Sequence, residues 1–405
     1  MKIPNDWNMA KFGELAKITC GVAATPEYVD AAIGVPFLSA RNVQKERLDL
    51  SYFQHIPREL HEKLTKNTKP AKGDVLLTRV GAGIGEATVV DIDFEFSVYV
   101  SLTLIKCGKN LDSEYVKSLL NTNYYRYLAT RDQFAGGGVQ NLNVQMVKEY
   151  PIPVPPLPEQ KKIAQILSTL DKAITTTEQL LVNSQQQKKA LMQQLLTGKK
   201  RLLDKNGVRF SGEWKSYHLS HVTVIVMGSS PKSEAYNENG IGLPLLQGNA
   251  DIKNRISAPR VFTSEITKEC EIGDILLSVR APVGTVAISE HKACIGRGIA
   301  ALHAKPNFDQ SFIYQFLLWF EPKWGSLSQG STFESINSDD IKNLKIKMPN
   351  FGEQQKIAAV LSTADQEISA LQQKLDALKQ EKKALMQQLL TGKRRVTIEK
   401  KELLK

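Results

Sequence analysis

The side chains best suited to reading base edges gather in loops at matching places in two halves of the chain. In the first half they are Arg41, Asn42, Gln44 and Lys45, then Arg79, then Gln140 and Asn141. In the second half they are Gln247, Asn249, Lys253 and Arg255, then Arg280, then Gln329, Ser331 and Thr332. Arginine pairs with guanine in the major groove, asparagine and glutamine pair with adenine, and lysine, serine and threonine hold phosphates. A single loop of this kind is more often ordinary solvated surface. Recurrence in both halves is what makes these residues the expected DNA contacts.

Patterns that would signal catalysis do not hold together. Gly81-Ala82-Gly83-Ile84-Gly85 has the look of a cofactor loop, but a lone GxGxG is a weak signal. Its duplicate reads Arg280-Ala281-Pro282-Val283-Gly284, so a tight turn is expected in both places. Gly136-Gly137-Gly138 lacks the lysine and hydroxyl residue of a phosphate-binding loop. His218 and His221 have HxxH spacing with neither a third ligand nor a glutamate between them. The four cysteines, Cys20, Cys107, Cys270 and Cys294, lack metal-ligand spacing and are expected to be inert thiols. No Asn-Pro-Pro-aromatic motif of an adenine methyltransferase occurs. No catalytic residues, metal site or cofactor of its own are expected.

What positions the two sets of loops is a duplication. Lys188 to Lys199 reads KKALMQQLLTGK, and Lys382 to Lys393 repeats all twelve residues at an offset of 194. The same offset carries Glu159-Gln160 onto Glu353-Gln354 and Asp171 onto Asp365. The globular stretches match more faintly: Gly73-Asp74-Val75-Leu76-Leu77-Thr78 answers Gly273-Asp274-Ile275-Leu276-Leu277-Ser278. A nearly frozen helical segment beside a diverged globular one suits a common scaffold with two specialised heads.

The repeated segments carry heptad spacing. In the first copy the seam runs through Ile163, Leu167, Leu170, Ile174, Leu181, Leu191 and Leu195, interrupted by Thr177, Ser184 and Lys188. In the second it runs through Ile357, Leu361, Ile368, Leu371, Leu375, Leu378, Leu385 and Leu389, with Ala364 and Lys382 among them. Polar seam positions commonly fix register. The helices are expected from about Glu159 to Thr197 and over the matching residues of the second copy, each following proline or glycine punctuation and closing at a Thr-Gly. Two equal helices in one chain pair most simply antiparallel, as a rod with a head at each end.

The net charge of +11 is misleading as a footprint for nucleic acid. Residues 1–157 hold 18 basic and 17 acidic side chains, and residues 207–351 hold 15 and 14. The excess lies in the helical segments, notably Lys199-Lys200-Arg201 and Lys393-Arg394-Arg395. Those clusters could meet DNA or complement helix C-terminal dipoles. No apolar run is long enough to span a membrane and no signal peptide opens the chain, so a cytoplasmic protein is expected.

The Pro-Leu-Pro-Glu-Gln-Lys-Lys-Ile-Ala run at 156–164, its echo at 352–358, and the KKALMQQLLTG runs at 188–198 and 382–392 resemble the specificity subunits of type I restriction–modification systems. The resemblance covers nearly all of the chain. It implies an α+β architecture in which two mixed α/β target-recognition domains are separated by two long helices forming an antiparallel coiled coil. The expected boundaries are 1–157 and 207–351 for the recognition domains, 158–206 and 352–395 for the helical spacers, and 396–405 for a basic tail. The resemblance further implies double-stranded DNA with a bipartite target as ligand. Two methyltransferase subunits would dock on the helices, and restriction subunits would join through them. S-adenosylmethionine, ATP and magnesium would sit on those partners only. An adaptor binding only proteins would share the helices but not the base-reading loops.

Overall fold

The computed structural model describes residues 3–21, 26–132, 141–327 and 335–398. They form two compact units: residues 1–178 with 374–405, and residues 179–373. Each unit holds one mixed α/β head and part of both long helices.

In the first head a four-stranded antiparallel sheet runs in the order Ala16–Cys20, Leu102–Cys107, Val75–Thr78, Ala87–Val89. In the second the same order recurs as Thr223–Met227, Ile299–Ala304, Ile275–Ser278 and Val286–Ile288. Each head adds a parallel pair, Val35–Leu38 with Ser97–Val98 and Leu243–Leu246 with Ala293–Ile295. Each also carries a short hairpin, Val43–Gln44 with Arg47–Leu48 and Ile252–Lys253 with Ile256–Ser257. Both hairpins turn through two residues with positive φ, Lys45-Glu46 and Asn254-Arg255, the mirror-type turn that matches strand twist. The apolar central strands explain the burial: Val75, Leu76, Leu77 and Ile275, Leu276, Leu277 are all sealed in.

The glycine motif is the turn that its duplicate foretold. It joins Val75–Thr78 to its antiparallel neighbour Ala87–Val89. Gly85 and Gly284 both adopt positive φ at the end of this turn. At Gly284 a Cβ would fall 2.6 Å from the ring of Trp324, which is fully buried. Gly284→Ala therefore combines backbone strain with a clash, and should cost unit 2 about 2–3 kcal/mol, read as lost amide-exchange protection over Ile275–Ser278 and Val286–Ile288. A loss below about 0.5 kcal/mol would show that this packing yields freely.

The long helices are Leu157–Leu195 and Phe351–Leu389, 39 residues each. Both start two residues before the expected point. Pro158 is accommodated because the first turn needs no amide there; the extended prolines before it form the strand Pro151–Val154. Gly198 and Gly392 take the left-handed cap conformation, with Lys200 N donating to Gln194 O and Arg394 N to Gln388 O. All twenty seam positions are buried or half-buried, while most positions between them are exposed. Within unit 1, Lys382 pairs with Asp171 and Lys379 with Glu178. Within unit 2, Lys188 pairs with Asp365 and Ser184 Oγ donates to Glu367. In both units one sequence rises as the other falls, so the pairing is antiparallel. Among the described residues no helix is long and apolar enough to cross a membrane.

Candidate nucleic-acid interface

In unit 2 the structure brings Gln247, Asn249 and Arg280 to one polar cleft of about 630 Å³, together with Ser230 and Arg297. Leu243–Leu246 delivers Gln247, the turn after Ile275–Ser278 delivers Arg280, and the turn before Ile299–Ala304 delivers Arg297. Arg280, Gln247 and Arg297 are exposed. Arg297 had no place among the expected contacts. Its signal was Gly296-Arg297-Gly298, since glycine on both sides of an arginine marks close backbone approach. A Cβ on Gly298 would lie 2.2 Å from the carbonyl oxygen of Gln247, so only glycine lets the two loops touch.

The hairpin residues are placed differently. Lys253 is exposed, but the Arg255 guanidinium donates to Glu321 and to the carbonyl of Val286. In unit 1 Arg41, Gln44, Lys45 and Asn141 are exposed. Two expected contacts need correction. Asn42 is buried; its Nδ2 donates to the carbonyls of Asp49 and Tyr52 while its Oδ1 accepts from Ser39 N. Arg79 is buried too, its Nε donating to the carbonyl of Leu142 at 3.0 Å. Both side chains shape the loop that carries their neighbours, and burial leaves neither free to meet a base. Gln140, Gln329, Ser331 and Thr332 lie outside the described residues.

The basic clusters at the helix ends also acquire a definite task. Arg201 grips Glu353 with Nε and Nη2, both at 2.6 Å, and Arg395 grips Glu159 at 2.7 and 2.8 Å. Each arginine beyond the end of one long helix thus holds a buried carboxylate in the first turn of the other. These hydrogen bonds to carboxylate push both guanidinium pKa values above the usual arginine range. Trp214 and Trp7 lie beside the respective guanidinium groups at 5.9 and 5.8 Å. The pair at each site is structural, which removes Arg201 and Arg395 from the charge available to a phosphate backbone.

A duplicated α/β head, a helix pair with interlocking charges, and an arginine-lined cleft define a two-headed recognition protein. The family described as the type I restriction modification DNA specificity domain matches residues 4–183 and again 211–380. A putative type I restriction enzyme MjaX specificity subunit from Methanocaldococcus jannaschii is 31% identical over 98% of this chain and 95% of that protein. The EcoKI specificity subunit of Escherichia coli is 23% identical over 68% of this chain and 62% of its own length. A crystal structure of the type I restriction–modification S subunit from M. genitalium shares the fold, with a TM-score of 0.64 at 16% identity over 98% of this chain and 99% of that one. The chain belongs to the type I restriction–modification specificity subunits, the family whose part is DNA sequence recognition.

Proposed function

We propose that each head reads one half of a bipartite double-stranded DNA target, and that the long helices set the spacer and dock two methyltransferase subunits. The observation that carries this reading is the contrast between the copies. Seven of the ten seam positions are identical between the two helices and the aspartate–lysine pair recurs in both units, while the exposed loop side chains of the heads differ. A fixed frame bearing two dissimilar reading surfaces is what a split target requires.

Docking is supported by a groove of about 450 Å³ in unit 1, lined by Leu119, the exposed Tyr124, Met386 and Leu390 among others. Restriction subunits would join through the methyltransferases. S-adenosylmethionine, ATP and magnesium belong to those partners, and the chain itself does no chemistry. The test is an electrophoretic mobility shift of the chain with its methyltransferase subunits on duplexes of varied sequence. Retention of one split sequence over scrambled competitors is expected. Equal retention of every sequence would overturn the reading of a split target by the two heads.

A further inference from the structure

We propose that Arg280 and Arg297 read guanine in the half-site bound by unit 2, and that Val80 and Val100 put apolar contact in its place in unit 1. The inference rests on the DNA-recognition reading above and adds which positions distinguish the half-sites.

The equivalence of these positions follows from backbone hydrogen bonds, not from sequence alignment. Val279 N donates to Gly298 O as Arg79 N donates to Ser101 O, both at 2.9 Å. Ile336 N donates to Val279 O as Leu142 N donates to Arg79 O. Isolated bridges then pair Arg280 with Ser335 and Val80 with Asn141. Arg280 therefore occupies the place of Val80. In the neighbouring turn, Gly296 N donates to Leu246 O and Ile299 N to Gly296 O. Tyr99 N donates to Leu38 O and Leu102 N to Tyr99 O in the same pattern. Arg297 therefore occupies the place of Val100, which is half-exposed, as is Val80.

Unit 2 thus presents two guanidinium groups to one cleft where unit 1 presents two valines. Arginine forks onto O6 and N7 of guanine, whereas a small apolar side chain fits the thymine methyl group. Arg297 is also held at its root. Its amide donates to Ser230 Oγ at 3.1 Å, its Nε approaches the same oxygen at 3.4 Å, and Gly298 is pressed onto Gln247. A fork restrained at its base loses less conformational freedom on forming two bonds, which favours a directional contact with a base over a loose contact with phosphate. Gln247 in the same cleft supplies an adenine reader beside it.

The experiment selects binders from a randomised duplex pool with the chain and its methyltransferase subunits, and compares Arg297→Lys and the double variant Arg280→Val/Arg297→Val with the parent. The valines are residues that the first head already carries at these places, and the lysine keeps the charge. Expected is a parent consensus with guanine in one half-site. In both variants, discrimination for that guanine should fall by about tenfold to a hundredfold. The other half-site should stay unchanged, and Arg297→Lys should keep its affinity for unrelated DNA. Uniform weakening with the consensus intact would make the arginines phosphate contacts and overturn the proposal. So would a consensus in which neither half-site responds. A parent complex that enriches no sequence would overturn the DNA-recognition reading itself, and is thereby distinct from either.

Discussion

Replacing Arg201 with methionine is expected to lower the stability of unit 2 by about 3 kcal/mol, far more than a surface ion pair would account for. The reason is its partner. The Glu353 side chain has no exposed surface, and Arg201 supplies both of the donors to its carboxylate oxygens. Removing the arginine strands a buried charge, while removing both groups does not. The double variant Arg201→Met/Glu353→Leu should therefore recover most of the loss. In unit 1 the equivalent Arg395→Met should cost less. There the Trp7 indole still donates to Glu159 at 3.0 Å, whereas Trp214 Nε1 is buried without a hydrogen bond. Amide exchange over Ile357 to Leu361 reads the effect locally, which a global unfolding curve on a chain of two units does not. A loss of protection under about fivefold, near 1 kcal/mol, would show that Glu353 finds another partner.

The helical frame was legible from sequence because a heptad is a one-dimensional pattern. Every seam position from Ile163 to Leu195 and from Ile357 to Leu389 is buried or half-buried. The lysines in the seam could be seen as register devices, but their partners could not. Asp171 and Asp365 become visible as partners only once the helices are paired. The heads were less transparent. Asn42 and Arg79 have the chemistry of base readers, and burial decides against them. Asp251, in the matching hairpin loop, shows why such a residue is needed: its carboxylate accepts from Gln247 N, Gly248 N and Arg260. A polar side chain that holds a loop and one that reads DNA look alike in sequence. The reverse error hid Arg297, whose setting depends on a turn and two distant loops meeting at glycine.

Lengthening both helices by seven residues, between Asp171 and Lys188 and between Asp365 and Lys382, is expected to lengthen the preferred DNA spacer by about three base pairs. Seven residues add roughly 10 Å of helix, and a base pair rises about 3.4 Å. A heptad returns the apolar seam to the same face, so the core of the pair survives. The charged pairs impose a second condition. Aspartate and lysine stand seventeen residues apart in each helix, and each pairs with its opposite number in the other. Equal insertions keep both pairs. An insertion in one helix alone breaks the match, and should yield a less stable protein with no defined spacer. Three base pairs also turn the second half-site roughly a quarter of the way round the duplex. The lengthened protein should therefore bind its new target more weakly than the parent binds its own, with both half-sites unchanged. The methylated sequence in cellular DNA, mapped for the parent and for both insertions, reads all three outcomes at once. An unchanged spacer in the doubly lengthened protein would mean that something other than helix length separates the half-sites.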